Sequence, residues 1–420
     1  MRVVFCNKYF FLNGGVEKYL EYMMEQVTAL GHTSIPFSVA YAHSWDSEYR
    51  RYFLPSPGSS GEPHYADIKL GFTNWLRYVD RCVYSFEARW YLSRLLEAAG
   101  PVDIAYVLNI YNYMSPSILH TLKARGIPVV LFLGDYNLLC PSYLFLRDGR
   151  PCTLCSHGTY LYGARYCCVK GSLGASALRV LSMYVHKWLR LYELVDAFVV
   201  PCRFMQEKLI AGGFPKSRIH ILSTPVQPVP MSFTVQKKPY ILYFGRISYE
   251  KGVDTLIEAV QRLSPPTNLF LIGRSYDGER ERIEGLIRPE YKEYIHFLGF
   301  KTGEELFRWI AEALFTVVPS RWYDNSPRSV YESFLYETPV LAADIGGIPE
   351  QIQDGVTGKL VEPDSVDGLA DGLRWMLSDQ DRLMDMGRAG KKFVLEECNM
   401  AAHVKQLLEL FEMVKKNGAR

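Results

Sequence analysis

The segment YILYFGRISYEKGVDTLIEAV, residues 240–260, decides the fold of this chain. Its apolar run 240–244 predicts a buried strand that ends at Gly245, and the apolar periodicity that follows predicts a helix. The loop between them carries Arg246 and Lys251. Helix-start amides favour an anion, Arg246 offers phosphate a bidentate fork, and Lys251 adds a point charge. The local interpretation is a diphosphate site, although the same residue pairs also occur as plain turn and cap residues.

A second segment, residues 314–361, has a similar plan. A predicted strand at 315–318 leads into a polar loop with Asp324 and Asn325, and the helix that follows carries Glu332. A carboxylate accepts hydrogen bonds from both vicinal hydroxyls of a ribose or a hexose. Two acids eight residues apart, beside a helix start, therefore suit a nucleotide sugar.

Taken together, these motifs resemble the C-terminal domain of the family-4 glycosyltransferases, which have the GT-B fold. That family has the pattern G-R-x4-K-G, then E-x7-E, then G-G-x-P-E. This chain has GRISYEKG at 245–252, D-x7-E starting at Asp324, and GGIPE at 346–350. Aspartate at 324 replaces the usual glutamate, which keeps the charge but shortens the reach, so the donor sugar is open. The resemblance implies an α/β protein with two Rossmann-like, doubly wound domains facing across a cleft.

The resemblance also implies an activity. Enzymes of this family transfer a sugar, here expected to be a hexose type, from a nucleoside diphosphate sugar with retention of configuration. The acceptor is expected to be a saccharide or a lipid-linked saccharide, in the assembly of a surface polysaccharide. Arg246, Lys251 and Asp324 are the expected catalytic residues. No cofactor is expected for the chemistry, because the Asp-Gln-Asp at 379–381 falls at a predicted helix start rather than between strands.

Further residues are expected to bind the donor by the same resemblance. Gly15 follows the first predicted strand, Gly245 ends the strand 240–244, and Gly273 ends the strand 269–272. Arg274 replaces the glycine that is usual after Gly273. Leu298 lies in HFLGF, where the family holds the nucleobase. The full expected set of donor-binding residues is Gly15, Gly245, Gly273, Leu298, Asn325, Ser326 and Glu332.

On the acceptor side the candidate residue is Asp135. It ends a predicted strand of the first half, and Gly134 stands where many family members have a histidine. The missing imidazole weakens any assignment of a protein base there. Asp135 either orients the acceptor hydroxyl or caps the following turn.

The length of 420 residues exceeds what one core usually supports, so two domains are expected. We predict an N-terminal acceptor-side domain over residues 1–200 and a linker region over 201–235, which overlaps the proline-rich stretch 223–239. The donor-binding domain is predicted over 236–395. The last segment, 396–420, is predicted to be a helix that packs back toward the N-terminal domain.

Charge and hydropathy limit the partners. A net charge of +2 gives no reason to expect nucleic acid, and no run of 18 apolar residues or signal peptide is visible. A cytoplasmic protein is expected. Residues 1–200 hold 19 Lys and Arg against 15 Asp and Glu, and the basic, aromatic-rich segment from Lys69 to Arg94 carries much of this surplus. That segment is either a core-packed helix with a solvated face or a peripheral contact with the inner face of a membrane.

Five of the nine cysteines fall in a segment of about residues 135–172, which resembles a cysteine-rich insertion in one branch of the family. Cys152 and Cys155 form a knuckle whose thiolates can share one metal ion. A structural zinc site is the main interpretation; an iron–sulfur cluster and buried free thiols are the alternatives, and disulfides suit a reducing cytoplasm poorly. Cys167 and His157 are alternative ligands, and the expected set is Cys140, Cys152, Cys155 and Cys168.

A hypothesis of another class is a GT-B scaffold that has lost turnover and binds a partner through its cysteine knuckle and aromatic surface. Retention of both cations and both acids favours an enzyme. Failure to bind any nucleotide would favour the scaffold.

Overall fold

The computed structural model describes residues 1–56, 72–227, 235–275 and 278–418, without the side chains of 72–74. Lys69, part of the candidate membrane segment, and residues 228–234 of the expected linker lie outside the described residues. Within this part of the chain, two parallel sheets are each covered by helices.

The first half of the chain alternates strands and helices, as its apolar runs predict. Its strands are β1 (Arg2–Cys6), β2 (Thr33–Phe37), β3 (Val39–Ala40), β4 (Leu54–Pro55), β5 (Ile104–Val107), β6 (Val129–Phe132), β7 (Leu146–Arg147), β8 (Arg150–Pro151), β9 (Ala197–Val200) and β10 (Ile219–Ile221). Its helices are α1 (Gly15–Ala29), α2 (Phe72–Val83), α3 (Phe86–Ala99), α4 (Ile118–Ala124), α5 (Leu161–Arg165), α6 (Leu173–Trp188) and α7 (Arg203–Ala211).

The second half repeats the plan. Its strands are β11 (Tyr240–Phe244), β12 (Asn268–Ile272), β13 (Ile295–Gly299), β14 (Phe315–Val318), β15 (Val340–Ala343) and β16 (Gly358–Val361). Its helices are α8 (Val253–Val260), α9 (Glu279–Glu284), α10 (Gly303–Glu312), α11 (Arg328–Leu335), α12 (Val366–Leu377), α13 (Gln380–Glu397) and α14 (Met400–Gly418). Asp379 caps α13 through the Arg382 amide, 3.0 Å away, so the predicted helix start there is confirmed.

Both large sheets are parallel and doubly wound. The N-terminal sheet has the order β10-β9-β6-β5-β1-β2, and the C-terminal sheet has the order β13-β12-β11-β14-β15-β16. Successive strands are added outward in opposite directions from a central pair, β1 and β5 in one sheet and β11 and β14 in the other. In such sheets the crevice at the carboxyl ends of the central pair binds ligands. The fold therefore creates one binding crevice in each domain.

The N-terminal domain is longer than the sequence indicated. Strand β10 pairs in parallel with β9, with Ile219 beside Phe198, so the N-terminal sheet ends at Ile221 rather than near residue 200. Only Ile219 of the three β10 residues is buried, and so short an edge strand gives little apolar signal. The segment 201–221, expected in the linker region, belongs to this domain.

The chain crosses between the domains twice, and the crossings lie side by side. The Val226 amide, after β10, donates to the carbonyl of Cys398, which follows α13, at 3.2 Å. Beyond this crossing α14 packs against the N-terminal domain, with Leu407 and Phe411 fully buried in the same core as strands β1, β5 and β6. The chain end is therefore part of the N-terminal domain. Among the described residues, no helix is both long and apolar enough to cross a bilayer.

Candidate active site

The candidate site in the C-terminal domain lies where β11 and β14 end. Gly245 and Arg246 follow β11, and the Arg246 side chain, 48% exposed, reaches 3.0 Å from the carboxylate of Glu250. This cation is therefore oriented by a neighbouring acid while a large part of it stays open to the cleft. The Tyr143 hydroxyl, from the N-terminal domain, also interacts with Arg246. Arg246 thus lies between the two domains.

Lys251 and Asp324 form an ion pair at the centre of this site. The lysine Nζ lies 2.5 Å from Asp324 Oδ2, and the Ser320 hydroxyl donates to the same oxygen at 3.0 Å. Both side chains are largely buried, 18% and 8% exposed, so screening by water is weak. The amide of Gly347, in the GGIPE turn, donates to the Asp324 carbonyl at 2.7 Å. The three motifs identified in the sequence therefore meet here.

Two glycines let the site loops approach one another. Gly252 has φ +67°, and a Cβ at this position would lie 2.0 Å from the Pro319 carbonyl oxygen, at the end of β14. A Cβ on Gly273 would lie 1.7 Å from the Gly245 carbonyl oxygen. Any side chain at either position would push the loop that carries the cations away from its neighbours.

The loop before α11 connects the site to the other domain. The side-chain amide of Asn325 donates through Nδ2 to the Gly134 carbonyl at 3.0 Å, across the cleft. The Ser326 hydroxyl accepts from Gln351 at 3.2 Å, and Glu332 pairs with Arg328 at the same distance. The Arg328 side chain in turn packs close to Gly15. Asn325 and the Arg328 partner of Glu332 therefore lie at the interface of the two domains, whereas the described contact of Ser326 is within its own domain.

The loop after β12, which carries Gly273, lies at the side of the site. Gly273 donates its amide to the Gly299 carbonyl at 2.9 Å, which brings the end of β13 next to the loop after β12. Leu298 is partly buried and packs against the core of the C-terminal domain. Arg274, the residue in place of the usual glycine, stacks over the Phe300 ring at 4.1 Å. Leu298 therefore has a neighbouring cation and aromatic ring but no described contact with Lys251 or Asp324.

The N-terminal wall of the cleft contains charged residues that the sequence analysis missed. Lys8 lies just after β1, and its amide donates to the Asn109 carbonyl, after β5, at 2.8 Å. Its charged neighbours are Glu17, Asp135 and Arg246. Burial lowers the pKa of Lys8, and the nearby carboxylates oppose that shift. Its position after the first of the two central strands was a signal that could have revealed it.

Asp135 lies on the same wall. One of its oxygens accepts the Asn137 amide at 3.0 Å, so it does cap the following turn. Burial raises its pKa, and this hydrogen bond and Lys8 partly oppose the effect. Glu17, only 4% exposed, also has a raised pKa because of burial, although Asn7 donates to it at 3.2 Å. The wall thus holds one cation and two carboxylates with raised pKa values, which is typical of functional sites.

The expected cysteine cluster is brought together in space. A small cavity of about 20 Å³ is lined by Cys140, Cys152, Cys155 and Cys168. Burial raises the pKa of the Cys155 thiol to about 12. Four thiols suit zinc, but among the described residues no three such side chains have the arrangement that a metal ion requires. The zinc site stays a prediction, and metal analysis of the purified protein decides between zinc and free thiols.

A larger cavity of about 780 Å³ lies away from the cleft, between α1 and α14. Half of its lining side chains are apolar, among them Leu30 and Leu408, and none of the expected site residues lines it. It is therefore not part of the candidate active site.

Comparison with known proteins agrees with this geometry. The family model described as "Glycosyl transferase 4-like domain" matches residues 14–225, and the one described as "Glycosyl transferases group 1" matches residues 231–393. Sucrose-phosphate synthase from Thermosynechococcus elongatus superposes over 98% of both chains, with a TM-score of 0.68 at 18% identity. HepE from Anabaena, solved with UDP, superposes over 98% of this chain and 100% of its own, with a TM-score of 0.67 at 16% identity.

Curated relatives are more similar in sequence but match in part. Alpha-maltose-1-phosphate synthase of Mycolicibacterium smegmatis is 28% identical over 53% of this chain and 64% of its own length. The amylovoran biosynthesis glycosyltransferase AmsK of Erwinia amylovora is 24% identical over 56% of this chain and 61% of its own. The chain thus spans less than two thirds of the length of either relative.

The fold and the paired crevices define a two-domain α/β protein of the GT-B class. The chain belongs to the family-4-like glycosyltransferases, since one family model covers half of it and the second covers the donor domain.

Proposed function

We propose that this protein is a retaining glycosyltransferase. It transfers a hexose-type sugar from a nucleoside diphosphate sugar to a saccharide or lipid-linked saccharide in the assembly of a surface polysaccharide. The observation that carries the proposal is the convergence of Arg246, Lys251 and Asp324 at the crevice of the C-terminal sheet. AmsK, by its name, acts in the synthesis of such a polysaccharide.

The cations act on the leaving group. As the bond from sugar to diphosphate breaks, negative charge develops on the β-phosphate oxygens. The Arg246 guanidinium and Lys251 ammonium stabilise that charge, together with the backbone amides of Asn325 and Ser326 before α11. Because side chains and amides supply the compensating charge, the proposed chemistry needs no divalent cation.

The acids position the sugars. Asp324 holds hydroxyls of the donor sugar and is, at the same time, the counterion that keeps Lys251 in place. Glu332 holds the ribose hydroxyls, and its pairing with Arg328 fixes its carboxylate beside the cleft. The resemblance to the family supports retention of configuration.

Across the cleft, the N-terminal wall receives the acceptor. Asp135 has a raised pKa and one carboxylate oxygen outside its turn-capping hydrogen bond, so it is suited to orient an acceptor hydroxyl. The Lys8 side chain lies near it, and its interaction with the carboxylate lowers the pKa of Asp135. The two walls therefore present cations to the diphosphate and carboxylates to sugar hydroxyls.

The test is binding of nucleotide sugars to the purified full chain, across UDP, GDP, ADP and CDP donors, with and without EDTA. UDP-glucose is the first donor to test, because HepE has been solved with it. We expect one nucleotide class to bind, EDTA to have no effect, and Lys251→Ala to weaken binding at least tenfold. The control is Lys391→Ala. It removes a half-exposed lysine of α13 that is paired with Glu337 and lies outside the three motifs.

Binding of no donor would overturn the transferase and favour the scaffold. Binding that EDTA abolishes would retain a transferase but contradict metal-independent chemistry. Equal loss in both lysine variants would show that Lys251 has no special role.

A further inference from the structure

Helix α6 has an unusual distribution of side chains. Its inner face is mixed: Val180 and Met183 pack in a small apolar cluster, while Arg179 donates to the Asn137 carbonyl at 2.8 Å and His186 lies 2.8 Å from the Val83 carbonyl. Its outer face is apolar, with Leu173 63%, Leu181 54% and Trp188 81% exposed. The outer face of a surface helix is ordinarily polar, so this exposed apolar face is unusual.

The outer residues form one stripe. Leu173, Ala177, Leu181, Tyr184 and Trp188 follow one another at intervals of three or four residues, so they share a face of the helix. Three of them are large and more than half exposed. Scattered exposed apolar residues are normal, but a continuous stripe over a whole helix indicates a binding surface.

Neighbouring elements extend this stripe. Helix α2 packs beside α6, and the contact between His186 and Val83 brings their carboxyl ends together. Phe86, three residues after Val83, is 70% exposed, and Leu76 on α2 is 47% exposed. We define the apolar patch as Leu76, Phe86, Leu173, Leu181 and Trp188.

The chain leading into and along α6 carries cations and no acids. Between Asp148 and Glu193 it contains six Lys and Arg residues and no Asp or Glu. Of these cations only Arg179 is buried, and Glu87, the acid next to Phe86, is paired with Arg77 and Arg81. A face that combines leucine and tryptophan with an excess of exposed cations is complementary to an anionic, partly apolar surface.

We propose that the apolar patch docks this protein on a bilayer that contains anionic phospholipids. Leucine and phenylalanine enter the outer acyl region, Trp188 lies at the level of the headgroups, and the exposed cations contact lipid phosphates. The proposal does not depend on the proposed transferase activity, because docking needs no substrate.

The structure extends the membrane hypothesis from residues 69–94, which contribute Leu76 and Phe86, to helix α6. In the segment from Lys69 to Arg94, Arg81 is fully buried and pairs with Glu87 at 2.9 Å, and Arg89 donates to Tyr84 at 2.7 Å. The contacts of Arg81 and Arg89 support the core-packed alternative at these two positions. The stripe on α6, which the sequence analysis did not single out, provides the apolar surface.

The test uses the full chain and vesicles of phosphatidylcholine with or without phosphatidylglycerol. We expect sedimentation with the anionic vesicles only, weakened by high salt, and quenching of tryptophan fluorescence by brominated lipid. The double substitution Leu181→Ser with Trp188→Ser should reduce vesicle binding at least tenfold. Lys170→Glu with Lys187→Glu should also reduce it and remove the salt dependence.

The matched control is Leu30→Ser, which changes a leucine that is 58% exposed at the end of α1, outside the apolar patch. It should bind vesicles as the unchanged protein does. Circular dichroism and thermal unfolding verify that each variant is folded, since these positions are exposed and their loss should leave stability unchanged.

Four outcomes would overturn the proposal. The first three are binding of the unchanged protein to neither kind of vesicle, its equal binding to both, and binding of the double variant as tightly as the parent. Light scattering provides the fourth: dimers that dissociate in the Trp188→Ser variant would assign the apolar patch to contact between two copies of this chain.

Discussion

At the scale of single residues, the Lys251–Asp324 pair is the most informative contact. A carboxylate that is 8% exposed is stable only with its partners, and here an ammonium and a hydroxyl both contact one oxygen. The aspartate in place of the family's glutamate is therefore joined directly to Lys251, the cation that we propose stabilises the leaving group. We therefore expect the length of the Asp324 side chain to affect both which donor sugar binds and where Lys251 lies.

Two substitutions of Asp324 separate the effect of its charge from the effect of its side-chain length. Asp324→Asn leaves a largely buried ammonium without its carboxylate, so we expect a loss of about 3 kcal/mol in the free energy of unfolding. Asp324→Glu keeps the pair, and we expect donor binding to be retained with an altered preference among sugars. Urea unfolding and the donor panel measure the two effects. Asp385→Asn, in an exposed pair with Arg388, should cost less than about 0.5 kcal/mol.

The position of Lys8 near Asp135 leads to a separate prediction for the acceptor side of the cleft. Its charge lowers the pKa of Asp135, which burial otherwise raises. We therefore expect Lys8→Met to raise the pKa of Asp135 further and to move the acidic limb of the pH–rate profile to higher pH, with donor binding unchanged. Lys18→Met, on the surface of α1, is the control. An unshifted profile would mean that Asp135 does not titrate in the reaction.

At the scale of secondary-structure elements, α7 is capped from the other domain. The Glu350 carboxylate, in the GGIPE turn, accepts the amides of Arg203 and Phe204 at 2.8 and 2.7 Å. These are the first amides of a helix, where a negative charge is stabilised by the helix dipole. The last acid of the motif is thus a contact between domains, which sequence reasoning had assigned no role.

Glu350→Gln should weaken that contact. The amide side chain keeps an acceptor oxygen but loses the charge, so we expect a loss of up to about 1 kcal/mol in the contact between the domains. The expected result is a larger radius of gyration by small-angle X-ray scattering and a higher KM for the donor. Glu258→Gln, an exposed position on α8, should change neither. An unchanged radius in Glu350→Ala would exclude a role in domain closure.

At the scale of the whole molecule, α14 joins the chain end to the first domain. Its His403 ring nitrogens lie 2.9 Å from the Tyr19 hydroxyl and 3.0 Å from the Ser223 carbonyl. Burial lowers the pKa of His403 to about 4, and burial lowers the pKa of His186, on the inner face of α6, to about 4 as well. The N-terminal domain thus depends on two neutral, buried imidazoles.

These histidines predict a pH dependence of stability. The unfolded chain binds protons near pH 6.5, whereas the folded chain does not until about pH 4. Stability is therefore complete above pH 6.5 and falls as the pH drops toward 4, by at most about 1.4 kcal/mol per pH unit for each histidine. We expect His403→Gln to reduce the difference in unfolding free energy between pH 7 and pH 5. The single variant retains His186, so part of the dependence should remain.

Much of the fold follows from the sequence by itself. Strands β11 and β14 are short apolar runs that end at Gly245 and Pro319, and their predicted bounds are confirmed. The class and the family followed from three motifs whose spacing is local to strand-loop-helix units. Local signals suffice there, because each motif folds around its own strand end.

Contacts between distant segments required the tertiary structure. Strand β10, Lys8 at the N-terminal crevice, and the Glu350 cap are defined by partners far away in the chain, so neighbouring residues give little sign of them. The same holds for the face of α6 that points outward, because periodicity predicts a stripe but not which side meets the core. The sequence determined the strand ends and their cations; only packing decided which charges face one another across the cleft.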